Sequence, residues 1–360
     1  MRKLVRSLGI AFGLAGSAAA QDVPPASPQE IATQLVALRN VPGAAAGWVT
    51  AEAMEVGVAG TRVVDGEDAV QVGDAWHVGS ITKGMTATLA ARMVEAGAIT
   101  WDTRIGAVLG DAFPEMHADW HGTPLRALLS HQSGMAANLP GASAADLGEG
   151  PRHDYVAEML YSPPETAVGE FVYSNAGYVV AGAMLEAVGG APWEELMQEH
   201  VFGPLGMESA GFGPPQGEAI EGHATRLLRG VRSAGQGPEA DNIPAMGPAG
   251  RVHLSAGDML RYLRAHLVRD ESFLSPATWE VLHSAAGDRG YTDNIEGYAM
   301  GWGVDEDGSL VHAGSNTFWY AVAYIDPSAG VAVFAATNSG DLRAVAEPVD
   351  GALRAVLVGH

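Results

Sequence analysis

Apolar residues recur along this 360-residue chain with two different periods, and the changes of period mark its organisation. Ser27-Pro28-Gln29-Glu30 forms a capping box with proline at the first helical position, and Ile31, Leu35 and Leu38 follow at helical spacing. Residues 44–50 and 54–60 then read as two short strands with a tight connection, a hairpin. Helical spacing returns over 80–95, with Ile81, Met85 and Leu89 on one face and Gly97 placed to end the element. Residues 125–129, 178–188 and 192–201 carry the same period, the second stretch closed by Gly189-Gly190. Residues 203–250 are dense in Gly and Pro and nearly aperiodic, which predicts long surface loops before the helical signal resumes at Met259. Two strands follow at 318–325 and 331–337, separated by the turn Asp326-Pro-Ser-Ala-Gly330, and a helix over 342–357 closes the pattern.

Strands at both ends with helices between predict one discontinuous α/β lobe interrupted by a helical lobe. The expected boundaries are a single domain over 21–360, its sheet lobe from 21–79 and 290–360 and its helical and loop lobe from 80–289. A crevice between the lobes is the expected ligand site. The first twenty residues stand apart. Arg2, Lys3 and Arg6 precede a short apolar run, and Ala18-Ala19-Ala20 offers a small-residue cleavage pattern, so residues 1–20 read as a secretory signal peptide. The expected location is periplasmic or secreted, with no membrane partner after cleavage.

Charge narrows the partners. The chain holds 42 acidic against 20 basic residues, a formal charge of −22. Such a chain repels nucleic acid and anionic membrane surfaces. It contains no cysteine, which removes disulfides, thiolate metal sites and cysteine nucleophiles. Lysine occurs only at Lys3 and Lys83, so a chain cleaved after Ala20 keeps one.

That lysine has a serine three residues before it, in Ser80-Ile-Thr-Lys83. Positions i and i+3 share a helix face, so the amine can approach the hydroxyl. A serine is a poor nucleophile without an adjacent base, which a desolvated lysine can be. At a helix start the Ser80 backbone N–H also lacks an intrahelical partner and can serve an oxyanion. The bland alternative is a helix-capping serine beside a surface lysine. Tyr173-Ser174-Asn175 is a second candidate, whose tyrosine could relay a proton beside a lysine cation and whose asparagine could orient an amide; a buried tyrosine with a capping asparagine is the alternative. His312-Ala313-Gly314 is a third, just before a strong strand, where a glycine lets substrate lie against the strand edge and a histidine can carry charge. His117 and His121 at i, i+4 lack a third ligand, so no metal and no other cofactor is expected. Trp319 and Tyr320 could border a pocket or fill the core. No Gly-x-Ser-x-Gly elbow, phosphate loop or dinucleotide fingerprint is present.

In this order the three motifs resemble the serine β-lactamase and penicillin-binding-protein superfamily, in the branch of class C β-lactamases, D,D-carboxypeptidases and family VIII esterases. Leu128-Leu-Ser-His-Gln-Ser-Gly-Met135, Phe171-Val-Tyr-Ser-Asn-Ala-Gly-Tyr178, Phe202-Gly-Pro-Leu-Gly-Met207 and Pro248-Ala-Gly-Arg251 carry the same resemblance, which spans about 27–358. It implies an α+β, β-lactamase/transpeptidase-like fold, an antiparallel sheet flanked by helices with an inserted helical lobe, and an acyl-enzyme on Ser80, activated by Lys83. Tyr173 would assist proton transfer, and Asn175 would bind the substrate amide. Backbone N–H groups of Ser80 and Ser315 would form the oxyanion hole, and His312, Ala313 and Gly314 would line the substrate strand. The implied substrate is a small molecule or peptide with an acyl group, a D-alanyl peptide or small ester. The alternatives are β-lactamase activity and a non-catalytic cell-wall-peptide or penicillin-binding protein. Class C β-lactamases have lysine at the third motif, where this chain has His312; the expectation is a cation titrating near neutrality in its place.

Overall fold

The protein is described from a computed structural model covering residues 26–139, 152–226, 229–286 and 297–359. The expected signal peptide lies outside these residues. Strands β1 (Gly43–Val49), β2 (Met54–Gly60), β8 (Gly297–Tyr298), β9 (Gly303–Val304), β10 (Leu310–Ser315), β11 (Tyr320–Asp326) and β12 (Val331–Thr337) form one antiparallel sheet. Its order is β2-β1-β12-β11-β10-β9-β8. Strands from both ends of the chain thus build the sheet, as the sequence pattern predicts. A small second sheet runs β3 (Ala75–His77), β7 (Val252–Ser255), β4 (Gly211–Phe212), and β5 (His223–Arg226) pairs with β6 (Gly230–Ser233).

The helices of the described residues are α1 (Pro28–Val36), α2 (Thr82–Glu95), α3 (Ile105–Leu109), α4 (Leu125–Leu129), α5 (Arg152–Tyr161), α6 (Asn175–Gly189), α7 (Trp193–Met197), α8 (Gly247–Gly250), α9 (Ala256–Val268), α10 (Pro276–His283) and α11 (Leu342–Gly359). None is long and apolar enough to cross a membrane. The capping box of α1 forms as the sequence predicts: Ser27 accepts from the Glu30 N–H, and the Glu30 carboxylate accepts from the Ser27 N–H at 2.8 Å.

Every residue of β12 is buried, because helices cover both faces of the sheet. Val331, Val333 and Ala335 join Ile31 and Leu35 of α1 and Val345, Val349 and Leu353 of α11 in one core. Ala332, Phe334 and Ala336 point the other way, into the larger core with Leu260 and Leu263 of α9 and Met85 and Leu89 of α2. The period of two sorts one strand into two cores. α9 falls within the stretch expected for the helical lobe, yet it packs on the sheet.

Other elements differ locally from the sequence pattern. The helix expected from Ser80 begins at Thr82, preceded by a 3-10 turn, Gly79–Ile81. The helix expected over 192–201 is α7 followed by a π-helical turn, Gln198–Phe202. The stretch expected as surface loops contains β4, β5, β6 and α8, of which α8 is wholly buried. Strands of two to four residues are too short to display alternation.

Between α9 and α10 lies a histidine pair, His266 buried and His283 half-buried. His266 Nδ1 stands 2.9 Å from His283 Nε2, and His266 Nε2 lies 3.3 Å from Thr88 Oγ1. Burial holds His266 well below the usual imidazole range and brings His283 to about 3. Both rings are therefore neutral in the folded protein where an unfolded chain, near its usual value of about 6.5, takes up protons. Stability is full above that value and declines as the pH falls from it toward the depressed folded values. Calorimetry is expected to give a lower Tm at pH 5 than at pH 7, with a shallower slope in His266→Asn.

Candidate active site

The chain reaches Ser80 through β3 and a turn at Gly79, whose φ of +51° is a left-handed conformation that glycine takes without strain. A Cβ on Gly79 would stand 2.4 Å from the Ser315 backbone N, and one on Gly314 would stand 2.0 Å from the Val78 carbonyl oxygen and 2.7 Å from the Ser80 N. The end of β10 thus lies directly against the backbone that carries Ser80. The missing side chain of Gly314 makes room for that backbone. The segment is tied on its other side to β7: the Val78 N–H donates to the Val252 carbonyl at 3.0 Å, and the Val252 N–H donates to Thr82 Oγ1 at 3.1 Å.

Ser80 is half-buried, while Lys83, on the first turn of α2, has no exposed surface. Lys83 Nζ lies 3.0 Å from Ser80 Oγ, 2.7 Å from Asn175 Oδ1 and 2.7 Å from the Ala249 carbonyl oxygen. Burial drives its ammonium well below the usual lysine range. A neutral amine 3.0 Å from a serine hydroxyl can accept its proton.

In Tyr173-Ser174-Asn175 each residue has its own place. Ser174 is the N-cap of α6, its Oγ accepting from the Gly177 N–H at 2.8 Å, so the cap is the serine and not the asparagine. Tyr173 stands just outside the helix with its ring face 4.9 Å from Lys83 Nζ. Asn175 opens the helix, gives its carbonyl to Lys83 and donates from Nδ2 to Asn138 Oδ1 at 2.9 Å.

His131 packs behind Tyr173, with ring centroids 4.3 Å apart. It adopts φ +60°, and its Nδ1 accepts from the Ser174 N–H at 3.0 Å. Burial, then the nearby Lys83 and His312, keep its pKa well below the usual histidine range. His131, Asn138, Tyr298 and the Ala249 carbonyl all bear on the site without having been singled out in the sequence. His131 and Ala249 sit inside motifs that carried the resemblance; Asn138 and Tyr298 lie in none of them.

His312 lies within β10, itself a strand directly ahead of β11, and is buried. Its Nδ1 contacts the Ala313 carbonyl oxygen at 2.8 Å, and its Nε2 contacts the Tyr298 hydroxyl at 3.1 Å. A carbonyl only accepts, so the ring proton sits on Nδ1 and Tyr298 donates to Nε2. Burial, reinforced by Lys83, lowers the pKa to about 3. The expectation of a cation titrating near neutrality is corrected: the ring is neutral because the strand turns it inward against Tyr298. The pH profile of kcat/KM for an anionic substrate is expected to show no falling limb near about 6.5 from this residue; steady-state rates across that range check it.

Trp319 and Tyr320 belong to the core, Trp319 edge-on to Trp76 at 6.1 Å. His117 accepts from the Asp119 N–H through Nδ1. Among the described residues no group of three His, Asp or Glu side chains could hold a metal ion.

Residues 29–356 match the Beta-lactamase family. Penicillin-binding protein 4 of Amycolatopsis lactamdurans is 29% identical over 76% of this chain and 74% of its own length. The lovastatin esterase of Penicillium rubens is 26% identical over 58% of each chain. Among solved structures, the D-amino acid amidase from Ochrobactrum anthropi in complex with D-phenylalanine superposes with a TM-score of 0.75, at 21% identity over 92% of this chain and 98% of that one. Matched to the family over 29–356, on a fold shared with that amidase, the chain belongs to the Beta-lactamase family of hydrolases.

Proposed function

We propose that the protein is an exported serine hydrolase that cleaves small esters or amides through an acyl-enzyme on Ser80. The observation that carries this reading is Lys83 Nζ, wholly buried and 3.0 Å from Ser80 Oγ. Neutral Lys83 takes the hydroxyl proton as the Ser80 oxygen attacks the acyl carbon. The tetrahedral oxyanion receives the Ser80 and Ser315 N–H groups, and Tyr173 hands a proton to the leaving group. The C–O or C–N bond then breaks, the Lys83 ammonium returns its proton to the Tyr173 phenolate so that both groups regain their starting forms, and water repeats the sequence to release the acid. Asn175 orients Lys83 and the substrate amide.

The substrate class is supported by relatives that include an esterase and, by fold, an amidase. A neutral His312 offers no charge to a substrate carboxylate. That favours small neutral esters over D-alanyl peptides and over efficient β-lactam turnover. Incubation with a fluorophosphonate or a fluorescent penicillin is expected to label Ser80 and to leave Ser80→Ala unlabelled. A panel of p-nitrophenyl acetate, a D-Ala-D-Ala peptide and nitrocefin should rank the ester first. Labelling without any hydrolysis would point instead to a penicillin-binding protein without turnover.

A further inference from the structure

Behind the site, away from Ser80 Oγ, stands a buried carboxylate for which proton transfer and acylation have no use. The Asp241 side chain has no exposed surface and is surrounded by donors. Its Oδ1 takes the Asn242 N–H at 2.7 Å and Asn316 Nδ2 at 2.9 Å, and lies 2.9 Å from His77 Nε2. Its Oδ2 takes Arg251 Nε at 3.1 Å. His77 Nδ1 in turn accepts from the Gly79 N–H at 3.2 Å, so the ring proton of a neutral His77 sits on Nε2, which packs 2.9 Å from Asp241 Oδ1 without the alignment of a hydrogen bond. One arm of this network therefore ends on the residue before Ser80, and the other on the residue after Ser315. Those are the neighbours of the two N–H groups assigned to the oxyanion.

We infer that Asp241 is a positioning residue, which sets the spacing of the Ser80 and Ser315 N–H groups from behind and so acts on kcat without touching substrate. The inference rests on the acyl-enzyme reading above. A carboxylate suits the post because it alone offers about four acceptor positions and no donor. An asparagine would set an NH2 group against Arg251 or against His77 and Asn316. Burial raises the Asp241 pKa, yet His77, Arg251 and Asn316 outweigh it and hold it at about 2. The brace is thus ionised at every pH where the lysine can act. A buried ion pair of this kind adds little stability over apolar packing, so stability alone does not account for it. Fixed donors matter because an oxyanion hole works by not having to reorganise.

The test compares Asp241→Asn, Asn316→Ala and the double variant with the wild type. Three quantities are read: p-nitrophenyl acetate kinetics, Tm, and the Ki of phenylboronic acid, whose boron bonds the Ser80 oxygen and sets a hydroxyl in the oxyanion position. Each single variant is expected to lose about 10- to 100-fold in kcat with KM within about threefold, and Ki is expected to rise by the same factor as kcat falls. The double variant should be no worse than the weaker single one, since both cut one brace. Unchanged kcat and Ki in Asp241→Asn, or losses that multiply in the double variant, overturn the inference. Should Asp241→Asn fail to fold, Asn316→Ala decides by the same split between kcat and KM. A wild-type enzyme that neither hydrolyses the ester nor binds the boronate defeats the Ser80 reading itself, a separate result from equal binding by wild type and variant.

Discussion

Lys83→Met is expected to fold and to lose about 1,000-fold or more in the rate of Ser80 acylation. The methionine fills the same buried space, so the deficit reports the missing amine and not a cavity. Lys83→Arg should not restore the rate, because a guanidinium stays protonated and cannot take the serine's proton. The pH dependence has a definite sign. Burial depresses the lysine pKa, and the neutral amine is the competent form, so acylation in the wild type rises with pH through the depressed lysine range and levels above it. Single-turnover acylation by a chromogenic ester across pH tests both statements. A Lys83→Met enzyme retaining a tenth of the wild-type rate, or a wild-type rate that falls with rising pH, would contradict them.

Gly314→Ala is expected to cost about 100-fold in kcat/KM together with a lower Tm. Its new methyl would stand 2.0 Å from the Val78 carbonyl oxygen, a contact with backbone that no side-chain rotation relieves. The strand must back away from Ser80, and a displacement of about 1 Å at a reacting centre costs on that scale. Gly73→Ala supplies the control, since a Cβ there meets nothing within 4 Å. Thermal melts and ester kinetics on both variants decide it. Parallel losses in the two would detach the effect from the Ser80 backbone.

The parts of the site that were legible in the sequence are those set by local spacing. Ser80 and Lys83 sit one helical turn apart, and that turn alone brings amine and hydroxyl together. Tyr173 and Asn175 flank a helix cap, so their divergence follows from where the helix starts. Residues that arrive through packing left no such trace. Asn138 meets Asn175, and Tyr298 meets His312, only because distant segments converge. The charge expected of His312 failed for the same reason: the residue type permits a cation, but burial against Tyr298 removes it. In the fold, the long apolar runs of β11 and β12 were recoverable, whereas β4, β8 and β9 are two residues each and give no period.

The sheet built from both ends of the chain also sets the order of events in time. The Gly43 N–H donates to Asn338 Oδ1, 295 residues downstream, and β1 finds its place only between β2 and β12. Closing so large a loop must precede most of the contacts that reward it, which slows folding. Ser80 and Lys83 can form their turn early, but β10 reaches the Ser80 backbone only as the last strands assemble. A growing or truncated chain that lacks β10 therefore carries Ser80 without the Ser315 N–H proposed for the oxyanion, and on the acyl-enzyme reading hydrolysis awaits the final strands of the sheet.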